Sequence, residues 1–222
     1  MISYVLMKAF ESAPLRYDRG LRLMSLGHID RIRKHIVENF IVPGDKVLDI
    51  GCGTGTLAVM MAAKGATVEG FDISRRMLEV AKMNVRSANL DHNVTLKLLG
   101  VAEMESAFQD ESYDKIISTL VFSELSSDEQ LYVLQEIKRV LKTQGLLIIG
   151  DEIVPRSAFA HAMKLLVRLP LAVLTFILTQ SITRSVKEPA AKIRRIGFEI
   201  VSSQTSFWGS FELIVAKKGK NG

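Results

Sequence analysis

Asp49, Gly51, Gly53, Gly55 and Asp72 are the residues whose types and spacing could do chemistry. An apolar run from Val47 carries the first acid and enters the glycines. A helical pattern follows, and a second apolar run ends in Asp72. A glycine turn opening onto a helix start presents backbone N–H groups and the positive end of the helix dipole. An acid about 20 residues further on, at the end of the next strand, can accept hydrogen bonds from ribose hydroxyls. The dinucleotide spacing G-x-G-x-x-G is not met, because the third glycine falls one residue early and Thr56 stands in its place. Asp49 would repel a pyrophosphate and attract an amine. The set therefore reads as a site for a nucleoside with a cationic amino-acid tail. The bland reading of the glycines alone is a tight strand-to-helix turn.

Such a site needs strands that end at one edge of a sheet. Short apolar runs alternate with helical patterns along the chain, the mark of βαβ units and a parallel sheet. Strands are expected at 46–50, 67–71, 94–98, 113–118, 146–151, 199–206 and 211–217, and helices at 56–64, 74–89, 128–141 and 158–178. Ser74 and Asp128 are the expected helix heads, and Gly145 is the expected helix stop. The last two strands, joined around Trp208 and Gly209, leave no room for a crossover helix and should form an antiparallel hairpin. The chain reads as one domain, 1–222. It comprises a helical cover (1–42), a cofactor-binding core (43–152), an apolar basic insert (153–188) and a C-terminal hairpin (196–218).

Composition narrows the class. With 48% hydrophobic and 24% charged residues over 222 positions, a packed core is expected and disorder is not. The net charge of +5 comes without basic runs interleaved with aromatics, which argues against nucleic acid. The one cysteine, Cys52, permits no internal disulfide and fits a reducing, cytoplasmic setting. The start of the chain has no secretory pattern, and no stretch reaches the ~18 apolar residues of a spanning helix. His28, His35, His92 and His161 are scattered without metal-ligand spacing, so no metal is expected.

The chain resembles the class I S-adenosylmethionine-dependent methyltransferases, and within them the UbiE-like branch. "VLDIGCGTG", "VEGFDISRRMLEVAK", "GVAEMESAFQDESYDKIIS" and "EIKRVLKTQGLLIIGDE" carry the likeness, with "SAPLRYDRGLRLMSLGHIDRIR" as the cover. The N-terminal string also resembles a subgroup associated with corrinoid proteins. The resemblance implies a Rossmann-like, doubly wound, seven-stranded and mostly parallel α/β sheet, with S-adenosylmethionine as cofactor. It implies that Gly51, Gly53 and Gly55 approach the methionine part, and that Asp49 organises the loop and reaches the ammonium either directly or through water. Asp72 would take the ribose, Ile73 pack on the adenine, Ala102 meet its edge, Thr119 lie near the methyl group and Tyr17 close over the cofactor. The chain departs from the pattern at Val101, where relatives carry Asp. It also reads Phe122-Ser123-Glu124-Leu125 where quinone-methylating relatives carry an Arg-Asn pair. With Val101 apolar, Glu103 or a backbone carbonyl is expected to receive the adenine amino group.

Methyl transfer from a sulfonium needs alignment above all, and a base only when the acceptor arrives protonated. Tyr17, Ser123 and Glu124 are the candidates for that base, against plainer roles as packing and capping residues. His28 also invites the role, against packing on the cover. The insert 153–187 has no acid and carries Arg156, Lys164, Arg168, Arg184 and Lys187 beside an apolar helical face. It reads as a lid, a wall of a lipophilic acceptor channel, a peripheral membrane contact through 158–182, or a docking surface for an acidic protein carrying the acceptor. Partners left open are a small-molecule acceptor, lipophilic or not, and a corrinoid protein. A non-catalytic S-adenosylmethionine-binding accessory protein is the alternative from another class.

Overall fold

The structure is a computed structural model and describes residues 14–153, Val186, 188–206 and 209–219. The expected helix at 158–178, His161, Trp208 and the first part of the cover lie outside the described residues. In chain order the elements are α1 (Pro14–Met24), α2 (His28–Phe40), β1 (Lys46–Ile50), α3 (Thr56–Ala63), β2 (Thr67–Asp72), α4 (Arg75–Ser87) and β3 (Val94–Leu98). A 3₁₀ turn (Val101–Glu103) leads into α5 (Met104–Ala107), β4 (Tyr113–Thr119), α6 (Ser127–Val140), β5 (Leu141–Glu152), α7 (Pro189–Arg195), β6 (Phe198–Ser206) and β7 (Phe211–Lys218).

The strands form one seven-stranded sheet in the order β3-β2-β1-β4-β5-β7-β6. β1 to β5 pair in parallel, and β7 runs antiparallel to both β5 and β6. This is the expected Rossmann-like architecture with its C-terminal hairpin. Parallel strands buried on both faces need helices on both. One apolar cluster joins residues of α1 to α4 to Val47, Val68, Ile117 and Ile148. The other joins α5, α6 and Ile193 of α7 to Leu48, Ile50, Ile116 and Ile149. Side chains alternate along a strand, so Asp49 faces the same side as Val47, beneath the helical cover.

Several boundaries differ from expectation. The cap of α6 is Ser126, not Asp128: its hydroxyl accepts from Glu129 N–H, and Ser126 N–H donates to Glu129 Oε2 at 2.7 Å. Ser74 does cap α4, accepting from Met77 N–H at 3.4 Å. Gly145 is no helix stop. β5 already starts at Leu141, and a Cβ at Gly145 would meet Leu141 Cδ1 at 2.5 Å and the Asp114 carbonyl at 2.9 Å. The polar start of β5 hid it, because Lys142, Thr143 and Gln144 all have some solvent contact.

Two stitches bear on the site. Ile153, directly after β5, forms a parallel bridge with Val186. Arg139 on α6 donates to the carbonyls of Phe108 (2.8 Å) and Met104 (3.3 Å) and pairs with Asp110 and Glu136, both at 2.6 Å. It thereby fixes α5 beside the 3₁₀ turn. Arg139→Ala should lower stability by about 2 kcal/mol, since bonds to charged groups are the stronger class; urea denaturation checks this, and an unchanged midpoint contradicts it.

Candidate cofactor site

β1 and β4 are neighbours while the chain order proceeds from β1 to β2, so the strand order reverses between them. Open α/β sheets place ligands outside the carboxyl ends of their strands at that point. Here the glycine loop leaves β1. Gly51, Gly53 and Gly55 have φ of 67°, 53° and 73°. A Cβ at Gly51 would meet Val121 Cγ2 at 2.3 Å, and one at Gly55 would meet Ala81 Cβ at 2.9 Å. A Cβ at Gly53 would meet nothing within 4 Å, so that residue fronts open space.

The two acids are brought to this loop and do different work. Asp72 Oδ2 accepts from Gly53 N–H at 2.9 Å and its Oδ1 from Ser74 N–H at 2.8 Å. It braces the loop as well as ending β2, and each oxygen retains a lone pair for a diol. Burial raises its pKa, while those two bonds lower it. Asp49 is 1% exposed, and among the described residues its Oδ2 is buried with no hydrogen-bond partner. Burial lifts its pKa from 3.8 to about 7; Arg33 pulls it down, and Asp72 pushes it further up. A buried, unpartnered carboxylate beneath a nest of turned backbone is an acceptor for a cation.

Ile73, directly after Asp72, is 80% exposed. An apolar side chain so open beside a polar loop offers a platform for a flat ring. Gly100 borders it, with Ile73 Cδ1 3.7 Å from where a Cβ would stand. Ala102 lies on the 3₁₀ turn, and its carbonyl accepts from Tyr132 Oη at 3.3 Å. Glu103 is committed locally: its Oε2 accepts from Gly100 N–H at 2.8 Å, capping its own turn. Only the rest of that carboxylate or a free carbonyl lone pair can receive an adenine amino group. Thr119 is the last residue of β4, opposite Gly150 of β5. Tyr17 is 9% exposed and sits in the apolar cluster shared with Leu120 and Phe211.

Ser123 and Glu124 separate. Glu124 is exposed. Ser123 lies against Asp151, whose Oδ2 accepts from Ser123 N–H at 3.2 Å and whose Oδ1 accepts from Glu152 N–H at 2.7 Å. Burial raises Asp151 from 3.8 to about 7, against the Ser123 hydroxyl and backbone bonds that lower it. His28 packs edge-to-face on Phe211 and meets Ser206 Oγ at 2.9 Å, on the hairpin; burial, then Arg31, lowers its pKa. Cys52 is a buried filler: its Sγ is 3.1 Å from where a Gly70 Cβ would stand, and burial raises its pKa.

Sequence reasoning passed over Asp18 and Asp151. Asp151 carried the signal already used for Asp72, an acid closing an apolar run. Asp18 stood in the cover motif, but only the fold brings it to the loop: its Oδ2 accepts from Thr54 Oγ1 (2.6 Å) and Thr56 Oγ1 (3.0 Å).

Comparison with known proteins agrees with this geometry. The profile of a family described as a methyltransferase domain matches residues 41–188. The chain belongs to the methyltransferase-domain family. It is 38% identical to methyltransferase GfsG of Streptomyces halstedii over 56% of this chain and 44% of that protein. It is 32% identical to a demethylmenaquinone methyltransferase of Thermotoga maritima over 68% of this chain and 63% of that protein. The chain thus spans about half to under two thirds of the length of these curated relatives. In fold it is similar to the [4+2]-cyclase SpnF, with a TM-score of 0.68 and 18% identity, over 86% of this chain and 81% of that one. Membership of the methyltransferase-domain family, with the acid-flanked loop, makes S-adenosylmethionine the cofactor. The site fits its parts: an unpartnered acid for the ammonium, a braced acid for the diol and an open apolar residue for the ring. Among the described residues no helix is long and apolar enough to cross a membrane.

Two predictions follow from the loop and its acids. Gly51→Ala should destabilise the free protein by about 1–3 kcal/mol through overpacking on Val121. Gly53→Ala should cost less stability and chiefly weaken S-adenosylhomocysteine binding. Melting curves and calorimetry on both variants separate the two effects, and equal loss of stability in both contradicts the assignment. The folded chain also holds protons on Asp49 and Asp151 that the unfolded chain releases, so their stability contribution is present below 3.8 and lost as pH rises through about 7. The stability advantage of wild type over Asp151→Asn should therefore shrink between pH 5 and pH 8 in urea melts. A flat difference contradicts it.

Proposed function

We propose that this protein is an S-adenosylmethionine-dependent methyltransferase of the UbiE-like branch that methylates a lipophilic small molecule by in-line displacement. The observation that carries the reading is the buried, unpartnered Asp49 carboxylate under the glycine loop, with Asp72 bracing the same loop. When bound, the cofactor supplies an electrophilic methyl group on a good leaving group. The chain's own part is to hold and to align. Asp49 takes the ammonium, Asp72 the ribose diol and Ile73 the adenine face. Thr119 borders the methyl position, and Tyr17 on the cover excludes water from above. Holding the reactants at near-attack distance can supply about 7–11 kcal/mol of such a barrier.

On this reading the acceptor enters by the ends of β4 and β5, next to the insert expected at 153–188; the bridge between Ile153 and Val186 supports that position. The apolar, acid-free sequence of 153–187 supports a lipophilic acceptor. Ser123, hydrogen-bonded to the buried Asp151, is suited to pass a proton from a hydroxyl or thiol acceptor to a carboxylate whose pKa stands near 7. Relatives named for demethylmenaquinone support an apolar ring substrate, whereas Phe122-Ser123-Glu124-Leu125 argues against quinone precursors themselves. A second reading, a corrinoid acceptor on a partner protein, rests on the N-terminal likeness and needs no base.

The test is incubation with the methyl-labelled donor and, separately, a lipid extract, a soluble extract and a corrinoid protein. Thermal shift with S-adenosylhomocysteine and NAD runs alongside. The expected result is label in a lipid-extract species and stabilisation by S-adenosylhomocysteine alone. Label only on the corrinoid selects the second reading. Stabilisation with no label in any fraction selects a non-catalytic binder, and stabilisation by NAD rather than S-adenosylhomocysteine overturns the cofactor reading.

A further inference from the structure

The loop residues Thr54, Gly55 and Thr56 are each held from outside the loop. The Thr54 carbonyl accepts from Asn84 Nδ2 of α4 at 2.9 Å. Gly55 is packed so closely on Ala81 that a Cβ would stand 2.9 Å from its methyl group. The two threonine hydroxyls converge on one oxygen of Asp18, and the Thr54 side chain is sealed in, with the residue 1% exposed. The other oxygen of Asp18 accepts from Arg33 NH1 of α2 at 3.0 Å. One carboxylate thus joins three segments: α1, the following helix α2, and the turn between β1 and α3, some 36 residues further along the chain. Thr56 is the residue that displaced the third glycine of the dinucleotide spacing, and its hydroxyl is spent on this contact.

Charge ties this joint to the acids of the loop. Asp72 opposes ionisation of Asp49. Arg33, itself buried, pairs with Asp18 and also favours ionised Asp49, so one guanidinium serves both acids. Arg33 NH1 reaches the second acid on its own helix, Asp30, only at 3.8 Å, so Asp18 is its close partner among the described residues.

We propose that Asp18 is the positioning residue of the cofactor loop. By clamping Thr54 and Thr56 to α1, and through Arg33 to α2, it couples docking of the helical cover to occupancy of the loop. This rests on the cofactor reading above. Coupling is reciprocal: a cover docked through Asp18 tightens cofactor binding, and bound cofactor protects the cover to the same degree.

The experiment is calorimetric titration of S-adenosylhomocysteine into wild type, Asp18→Ala, Asp18→Asn, Thr54→Val, the Asp18→Ala/Thr54→Val pair and Leu21→Ala. Leu21 is buried on the same helix at 3% exposure, and among the described residues its hydrogen bond outside the helix is to Ser25, not to the loop. Its variant loosens the cover without touching the clamp. Asp18→Ala should bind about tenfold more weakly than wild type, a loss of the size expected for charged hydrogen bonds. Asp18→Asn should retain part of the affinity, and the pair should lose no more than its worse single member. Leu21→Ala should lose less affinity than Asp18→Ala at equal or greater loss of melting temperature. If Asp18→Ala does not fold, Asp18→Asn and Thr54→Val carry the test, each binding more weakly than Leu21→Ala. Wild-type affinity in the Asp18 variants, full additivity in the pair, or an equal loss in Leu21→Ala overturns the clamp while leaving the cofactor reading intact. Absence of binding to wild type overturns both.

Discussion

A buried carboxylate oxygen with no hydrogen-bond partner is costly to keep charged, and among the described residues Asp49 Oδ2 is such an atom. The folded chain can relieve it in two ways, by a proton or by a cation brought from outside. Its pKa near 7 leaves both routes open around neutrality. The glycine loop that leaves β1, the acid that braces the loop and the cover that closes over it are arranged around this one unmet charge. A dinucleotide site could not tolerate it, because pyrophosphate would face a carboxylate where it needs donors.

The rest of the site keeps the loop from collapsing onto that charge. Asp72 holds Gly53 from the β2 side, Asn84 holds Thr54 from α4, and Asp18 holds Thr54 and Thr56 from the cover. Each restraint comes from a different element, so the shape of the loop reports the packing of half the domain. Such preorganisation reduces the ordering that a ligand must impose on binding. Gly53, the one loop glycine with open space at its Cβ position, is left facing outward.

What the sequence disclosed was local. An apolar run, an acid and a glycine cluster lie within a few residues, so Asp49, Asp72 and the strand edge were legible, as was the hairpin between β6 and β7. What it concealed was distant or ambiguous. Asp18 meets Thr54 across 36 residues, and an acid on a helix reads equally well as a solvated one. Ser126 and Asp128 are both competent caps two residues apart, and only the geometry picks Ser126. The polar opening of β5 imitated a turn, with Gly145 as a decoy, although its backbone belongs to the sheet. α7 is short and strongly basic, with Ile193 as its buried anchor, too little for an apolar period to emerge. Chemistry at the acceptor side was half legible: Ser123 was singled out, but the buried acid it rests on was read only as the end of a strand.

The ends of β4 and β5 therefore carry a second acid-centred arrangement, Asp151 with Ser123, beside the first. Burial lifts both Asp49 on β1 and Asp151 on β5 to about 7. The most direct measurement is a crystal structure of the full chain with S-adenosylhomocysteine. The account predicts both ribose hydroxyls on the Asp72 carboxylate, the adenine over Ile73 and the amino group on the Asp49 side of the glycine loop. Adenosine bound elsewhere, or bound at the loop with its amino group turned away from Asp49, would contradict it.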